Sequence, residues 1–294
     1  MTPSIHTLVP DIYDLLKTKG DWYNDVLREG LSTNIARSIQ ASFGGSERAS
    51  LRMSKLGPVC PKALWYSVHR PELAEAVPPW TTIKFTYGHV LEALAISLAK
   101  AAGHRVEGEQ DEINLDGVLG HRDCVVDGMV VDVKSCSHLS FQKFKDKTLA
   151  QADTFGYLEQ MDAYVLGSRN DPLVINKEKG YFLAIHRDLG HMCTYEHTVR
   201  EEFIKSRIKT YKEIVERTTA PNCECGTKPD GKSGNVTLDT RAAYSAFKHS
   251  CFPSLRTFLY ADGPRYLTRV VRRPARQDGT PIPEVDKNGK LIYC

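Results

Sequence analysis

Gly120-His121-Arg122-Asp123-Cys124-Val125-Val126-Asp127-Gly128-Met129-Val130-Val131-Asp132-Val133-Lys134 is the stretch whose reading decides the fold. Asp127-Gly128 between two apolar runs signals a hairpin, because the central residues of a type I′ turn need positive φ. Folding the stretch about that dipeptide puts Asp123 near the start of one strand. Asp132 and Lys134 fall at the end of the next. One residue separates them, so they share a face, and Val131 and Val133 point to the other side, into a core. Three charged side chains thus gather on an otherwise apolar sheet. That costs free energy unless the charges pair or bind a metal.

The surroundings extend the pattern. Upstream, Val90, Leu91, Leu94, Leu98 and Ala99 form one apolar stripe, which predicts a helix over 87–102 with Gly103 as its stop. That helix carries Glu92. Strands are expected over 105–113, 118–126 and 129–133. Downstream, a helix is expected over 150–166, a buried strand over 180–185, a long helix over 196–217, a loop over 221–235 and a short helix over 242–259. Two helices are expected within 11–40, then a proline-punctuated stretch around Leu64 and Trp65. This order predicts an α/β fold whose mixed sheet is flanked by helices, with helical N-terminal and C-terminal appendages. The expected boundaries are 1–80, 81–217 and 218–294.

Two aspartates, the Val133 carbonyl and Glu92 make an oxygen-rich set suited to Mg²⁺ or Mn²⁺, hard cations that keep several waters. Lys134 would hold or help deprotonate an attacking water, or neutralise charge on a phosphate.

The 294 residues, 41% hydrophobic and 26% charged, exclude wholesale disorder and a collagen-like chain. No window nears the ~18 apolar residues of a membrane span. No basic and then apolar leader is visible in residues 1–14, so a cytoplasmic protein with no membrane partner is expected. Net charge is only +3, but residues 252–276 hold six arginines (Arg256, Arg265, Arg269, Arg272, Arg273, Arg276) against one acid, Asp262. Such a stripe suits phosphate contacts, and equally a solvated face. The eight cysteines lack a secretory context, which favours reduced thiols or metal ligands over disulfides.

Gly-His-Arg-Asp at 120–123, then Asp-Val-Lys at 132–134, resembles the active site of the PD-(D/E)XK nuclease superfamily. Tyr87-Gly88-His89-Val90-Leu91-Glu92 is similar to the Gly-x-x-x-(Glu/His) helix of its RecB-like exonuclease branch. Gln160-Met161-Asp162-Ala163-Tyr164 resembles that branch's Gln-x-x-x-Tyr motif. The four elements stand in family order. Arg52-Met53-Ser54-x-Leu56-Gly57, Phe247-Lys248-His249-Ser250-Cys251 and Gly263-Pro264-Arg265-Tyr266-Leu267-Thr268 extend the resemblance to bacteriophage exonucleases of the branch. Asp132 stands where many members have Glu.

The resemblance implies that 81–217 is the nuclease core, with 218–294 a Cys- and Arg-containing extension packing on it. It implies a Mg²⁺-dependent deoxyribonuclease, an exonuclease serving phage recombination, replication or DNA degradation in the host cytoplasm. A structure-specific or restriction-like endonuclease and a non-catalytic DNA-binding module remain the alternatives. Glu92, Asp123 and Asp132 would bind one or two ions, and Lys134 would sit by the scissile phosphate. Gln160 would orient Lys134 or the phosphate, and Tyr164 would pack or contact DNA. His89 is a candidate support to Glu92. Arg265, Arg269, Arg272 and Arg273 are candidate DNA contacts. The partners implied are DNA, further copies of the chain, and a single-strand annealing or replication protein. Related exonucleases, including CRISPR-associated ones, carry an iron–sulfur cluster on one cysteine before the core and three after it. Cys60 and Cys251 fit the outer positions, while Ala242 and Ser245 stand where a Cys-x-x-Cys is expected. Cys223 and Cys225 could replace that pair in an iron–sulfur or Zn²⁺ site, with His249 as a further candidate.

Overall fold

The computed structural model describes residues 3–18, 20, 22–44 and 50–293. Its helices are α1 (Leu8–Lys17), α2 (Asp25–Gly44), α3 (Pro61–His69), α4 (Pro79–Ala101), α5 (His138–Lys145), α6 (Tyr157–Gly167), α7 (Glu201–Val215), α8 (Thr240–Tyr244) and α9 (Lys248–Cys251). The strands up to the second helix pair are β1 (Val106–Glu107), β2 (Glu112–Leu115), β3 (Val118–His121), β4 (Cys124–Val126) and β5 (Met129–Cys136). Then come β6 (Lys179–His186), β7 (Met192–Thr198), β8 (Thr227–Pro229), β9 (Val236–Leu238), β10 (Arg256–Tyr260), β11 (Gly263–Arg269), β12 (Glu284–Val285) and β13 (Leu291–Tyr293). The chain forms two compact units. The first takes the described residues of Met1–Arg48, Arg52–Gly57 and Pro78–Ile208; the second takes those of Ala49–Leu51, Pro58–Val77 and Lys209–Cys294.

In the first unit a five-stranded sheet runs β1-β4-β5-β6-β7. Asp127 and Gly128 take φ of 50° and 80°, and the β4–β5 hairpin closes on them with Val126 opposite Met129 and Cys124 opposite Val131. From β5 the chain crosses through α5 and α6 and returns as β6, parallel to β5, as a helical crossover dictates. The other pairings are antiparallel, so the sheet is mixed and flanked by helices, as expected. Val131 and Val133 pack with Leu8 and Ile12 of α1 and Ala95, Ile96 and Ala99 of α4. They occupy the side opposite Asp132, as the alternation requires.

Three expectations are corrected. The stretch 118–126 is two strands: β3 pairs with β2 in a separate two-stranded sheet, and only β4 joins the main one. The chain changes sheets at Arg122-Asp123: the Arg122 N–H donates to the Asp111 carbonyl and the Asp123 carbonyl accepts from the Gln110 N–H, while Cys124 opens the pairing with Val131 of β5. The Arg122 side chain, fully buried, takes Asp111, Asp171 and Ser168 as partners. Residues 196–217 are not one helix; β7 runs to Thr198 before α7 begins. The α7 approach is tied down by Asp162, which accepts from the Arg200 backbone N–H and both ends of its guanidinium.

The third correction lies in the second unit. Residues 242–259 are not one helix but α8, α9 and the start of β10, and the arginine-rich stretch continues as β11. Pro253 and the β-branched or aromatic Thr257, Phe258 and Tyr260 favour strand over helix there. The antiparallel sheet runs β13-β12-β10-β11-β9-β8. Among the described residues no helix is long and apolar enough to cross a membrane.

Candidate active site

The broken strand places the first carboxylate. Freed from the ladder, Asp123 turns its Oδ2 to accept the Val133 N–H at 2.7 Å. An N–H and C=O of one residue share a strand edge, so the Val133 carbonyl opens on the same side. Asp132, 2% exposed, sits two residues before Lys134, whose Nζ lies 2.5 Å from Asp132 Oδ2. That oxygen finds no well-angled hydrogen bond despite its burial. Burial pushes both aspartates above the usual carboxylate range. For Asp123 the charges of Asp132 and Glu92 push further; for Asp132 the Lys134 ammonium pulls back. Burial works against the Lys134 ammonium, yet Asp132 and Asp123 outweigh it and hold its pKa above the ordinary lysine value. Lys134 is therefore a cation and hydrogen-bond donor here rather than a base.

On α6, Gln160 Oε1 accepts from Lys134 Nζ at 3.4 Å while its Nε2 donates to Tyr164 Oη at 2.7 Å. Tyr164 is 4% exposed, and its hydroxyl braces Gln160. Gly120 permits that packing, because a Cβ there would stand 2.8 Å from the Tyr164 ring. Glu92 comes from α4, half-buried, with Oε2 3.8 Å from His89 Nδ1. The structure thus brings Glu92, Asp123, Asp132, Lys134 and Gln160 into one site. Three carboxylates against one ammonium leave excess negative charge. A divalent cation fits this set, since it would replace the repulsion that raises Asp123 with attraction.

Two neighbours were invisible in the sequence pattern. The Tyr157 ring centre lies 5.0 Å from Lys134 Nζ, a cation–π distance. Gln110, in the loop between β1 and β2, donates from Nε2 to Glu92 Oε1 at 2.6 Å. Tyr157 opens α6 and carries no motif. Gln110 lies inside a span read as one strand.

In the second unit the sulfurs of Cys60, Cys223, Cys225 and Cys251 all lie within 4.8 Å of one another. They sit among Ala63, Tyr66, Phe247 and Phe252. Hydrogen bonds from Cys225 and Cys251 hold the Cys60 thiol far below its usual pKa, while the Cys225 thiol is pushed up by the same sharing. Four converging sulfurs, one primed as thiolate, can hold a metal. His249 does not join them; its Nδ1 is 2.7 Å from Glu75 Oε1.

No family model matches the chain, and no curated protein matches it. Among solved structures it is similar to SSO0001, at 16% identity over 78% of this chain and 96% of that one, TM-score 0.40. It is also similar to an alkaline exonuclease (LHK-Exo) from Laribacter hongkongensis, at 12% identity over 63% of this chain and 92% of that one, TM-score 0.40.

The arginine stripe is largely spoken for. The Arg265 guanidinium stacks on Tyr260 at 4.1 Å and lies 3.5 Å from both Asp230 and Asp262. Arg256 forms a two-pronged pair with Glu284, and Arg273 lies 3.7 Å from the same carboxylate. Arg269 bonds only weakly to the Gly234 carbonyl at 3.3 Å, and its side chain and that of Arg272 are exposed.

Proposed function

We propose that this chain is a metal-dependent deoxyribonuclease that hydrolyses phosphodiester bonds, acting as an exonuclease. The observation that carries the reading is the carboxylate trio of Glu92, Asp123 and Asp132 around a Lys134 that stays cationic. Glu92, Asp123, Asp132 and the Val133 carbonyl would hold Mg²⁺ or Mn²⁺. The bound ion would lower the pKa of water and stabilise charge on the phosphate. Lys134 donates to the phosphate or orients the water, and Gln160, braced by Tyr164, keeps the ammonium in place. The Tyr157 ring, 5.0 Å from the ammonium, adds a cation–π contact that helps to hold it.

We further propose that the four-cysteine site takes a single Zn²⁺ in a structural role. Zn–S bonds of ~2.3 Å in a tetrahedron put the sulfurs roughly 3.8 Å apart; here all four lie within 4.8 Å of one another, Cys60 and Cys223 at 3.9 Å. In a 4Fe–4S cluster each cysteine binds a different iron, and in a 2Fe–2S cluster two cysteines bind each of two irons, so both spread the sulfurs wider than one ion does.

Incubating end-labelled linear and closed circular DNA with Mg²⁺ tests the activity. Loss of the linear form alone is expected. Cutting of both would make the protein an endonuclease, and a mobility shift without cleavage would make it a binding module.

A further inference from the structure

Gln110 has a left-handed backbone, with φ 58°. Side chains other than glycine rarely sit there, and such strain persists only where surrounding structure demands it. Two bonds make that demand. The Gln110 N–H donates to the Asp123 carbonyl at 3.1 Å, and its side-chain Nε2 donates to Glu92 Oε1 at 2.6 Å. One loop residue is thus tied to the backbone of one candidate ligand and the carboxylate of another, which come from different elements.

Glu92 needs such a tether. Its side chain is long, borne on a helix, and partly open to solvent. It borders a groove of about 480 Å³ between α2 and α4, whose wall Gln110 shares. An unrestrained glutamate there would sample several rotamers and lose that freedom on binding an ion. A neutral amide is suited to hold it. It always donates, and unlike lysine it does not neutralise the charge that attracts a cation.

We propose that Gln110 is a positioning residue: it fixes the Glu92 carboxylate by one oxygen and leaves the other for a divalent ion. This rests on reading Glu92, Asp123 and Asp132 as the ion's ligands. Partners of ligating carboxylates typically matter by about 10–100-fold in metal affinity.

Calorimetric titration of Mn²⁺ into the full chain, without DNA, provides the test. The variants are Gln110→Gly, Gln110→Asn, Glu92→Ala and the Glu92→Ala/Gln110→Gly pair. Glycine and asparagine both accept positive φ, and asparagine is a methylene too short to reach Glu92. Each Gln110 variant should weaken Mn²⁺ binding by roughly ten-fold or more. The melting temperature in chelator should hold or rise. Gln110→Gly should add nothing once Glu92 is alanine. Wild-type affinity in the Gln110 variants, beside a loss in Glu92→Ala, overturns the proposal alone. So does an additive loss in the double variant, or a fall in melting temperature that accompanies the affinity loss in both. Wild-type affinity in Glu92→Ala overturns the metal-site reading of Glu92, and this proposal with it.

Discussion

Asp123 Oδ2 accepts the Val133 amide 2.7 Å away, so the residue that leaves the β4 ladder caps the place on β5 where that ladder stops. The break in pairing and the assembly of the carboxylates are one event. Asp123 can reach across only because no β4 residue pairs opposite Val133.

Asp132→Asn should abolish Mg²⁺-dependent cleavage while leaving DNA affinity and the far-ultraviolet spectrum in place. If Asp132 is a direct ligand, as proposed, its loss removes stabilisation worth several kcal/mol, about a hundred-fold or more in rate. Lys134→Ala should lose cleavage too but keep Mn²⁺ binding, because the role proposed for Lys134 is on phosphate and water, not on the ion. Single-turnover cleavage and calorimetry check the pair; near wild-type turnover in Asp132→Asn would sink the assignment.

The buried Asp123 makes stability fall as pH rises in the absence of divalent metal. Its folded pKa lies well above 3.8, so between that value and the raised one the folded state holds more protons than the unfolded. Stability conferred by the protonated form is present at low pH and lost as pH rises through the folded pKa. Asp123→Asn should therefore melt higher than wild type in chelator at neutral and alkaline pH, and Mg²⁺ should stabilise wild type but not the variant. Melting curves across a pH series, with and without Mg²⁺, decide this.

Purified protein should carry zinc on Cys60, Cys223, Cys225 and Cys251, lack the visible absorbance of an iron–sulfur cluster, and melt lower after zinc chelation. Cys225→Ala should lose the zinc and much of the second unit's stability. Elemental analysis finding iron with sulfide would overturn the zinc assignment.

Arg122→Ala should destabilise the first unit by about 3 kcal/mol, since it strips partners from Asp111 and Asp171 and leaves a cavity beside Asp123. Chemical denaturation measures the loss, and cleavage should drop with it because Asp123 is the next residue.

Arg269→Ala with Arg272→Ala should weaken DNA binding and flatten its salt dependence. For each phosphate that is no longer neutralised, the slope should shrink by roughly 0.9 log unit of affinity per tenfold salt. Arg265 and Arg273 are poor choices for the same test, because both already face acids in the fold. An unchanged slope and affinity would mean these exposed arginines do not touch DNA.

The hairpin, the shared face of Asp132 and Lys134, and the Glu92 helix were legible in the sequence. Each depends on neighbours a few residues apart: a turn dipeptide, a two-residue alternation, an apolar stripe at helical spacing. Gln160 and Tyr164 were legible only through the resemblance. What tertiary structure alone decided involves partners distant in the chain. Cys60 meets Cys223, Cys225 and Cys251 across more than half the chain. Glu284 and Asp230 neutralise arginines that look unopposed in their own stretch. Arg122 sits where the expected strand over 118–126 is interrupted, with Asp111 and Asp171 at its guanidinium, and the loop carrying Gln110 likewise interrupts the strand expected over 105–113. Local periodicity records which side of an element a residue faces. It holds no record of which remote charge or sulfur will arrive there, because that depends on how the elements pack.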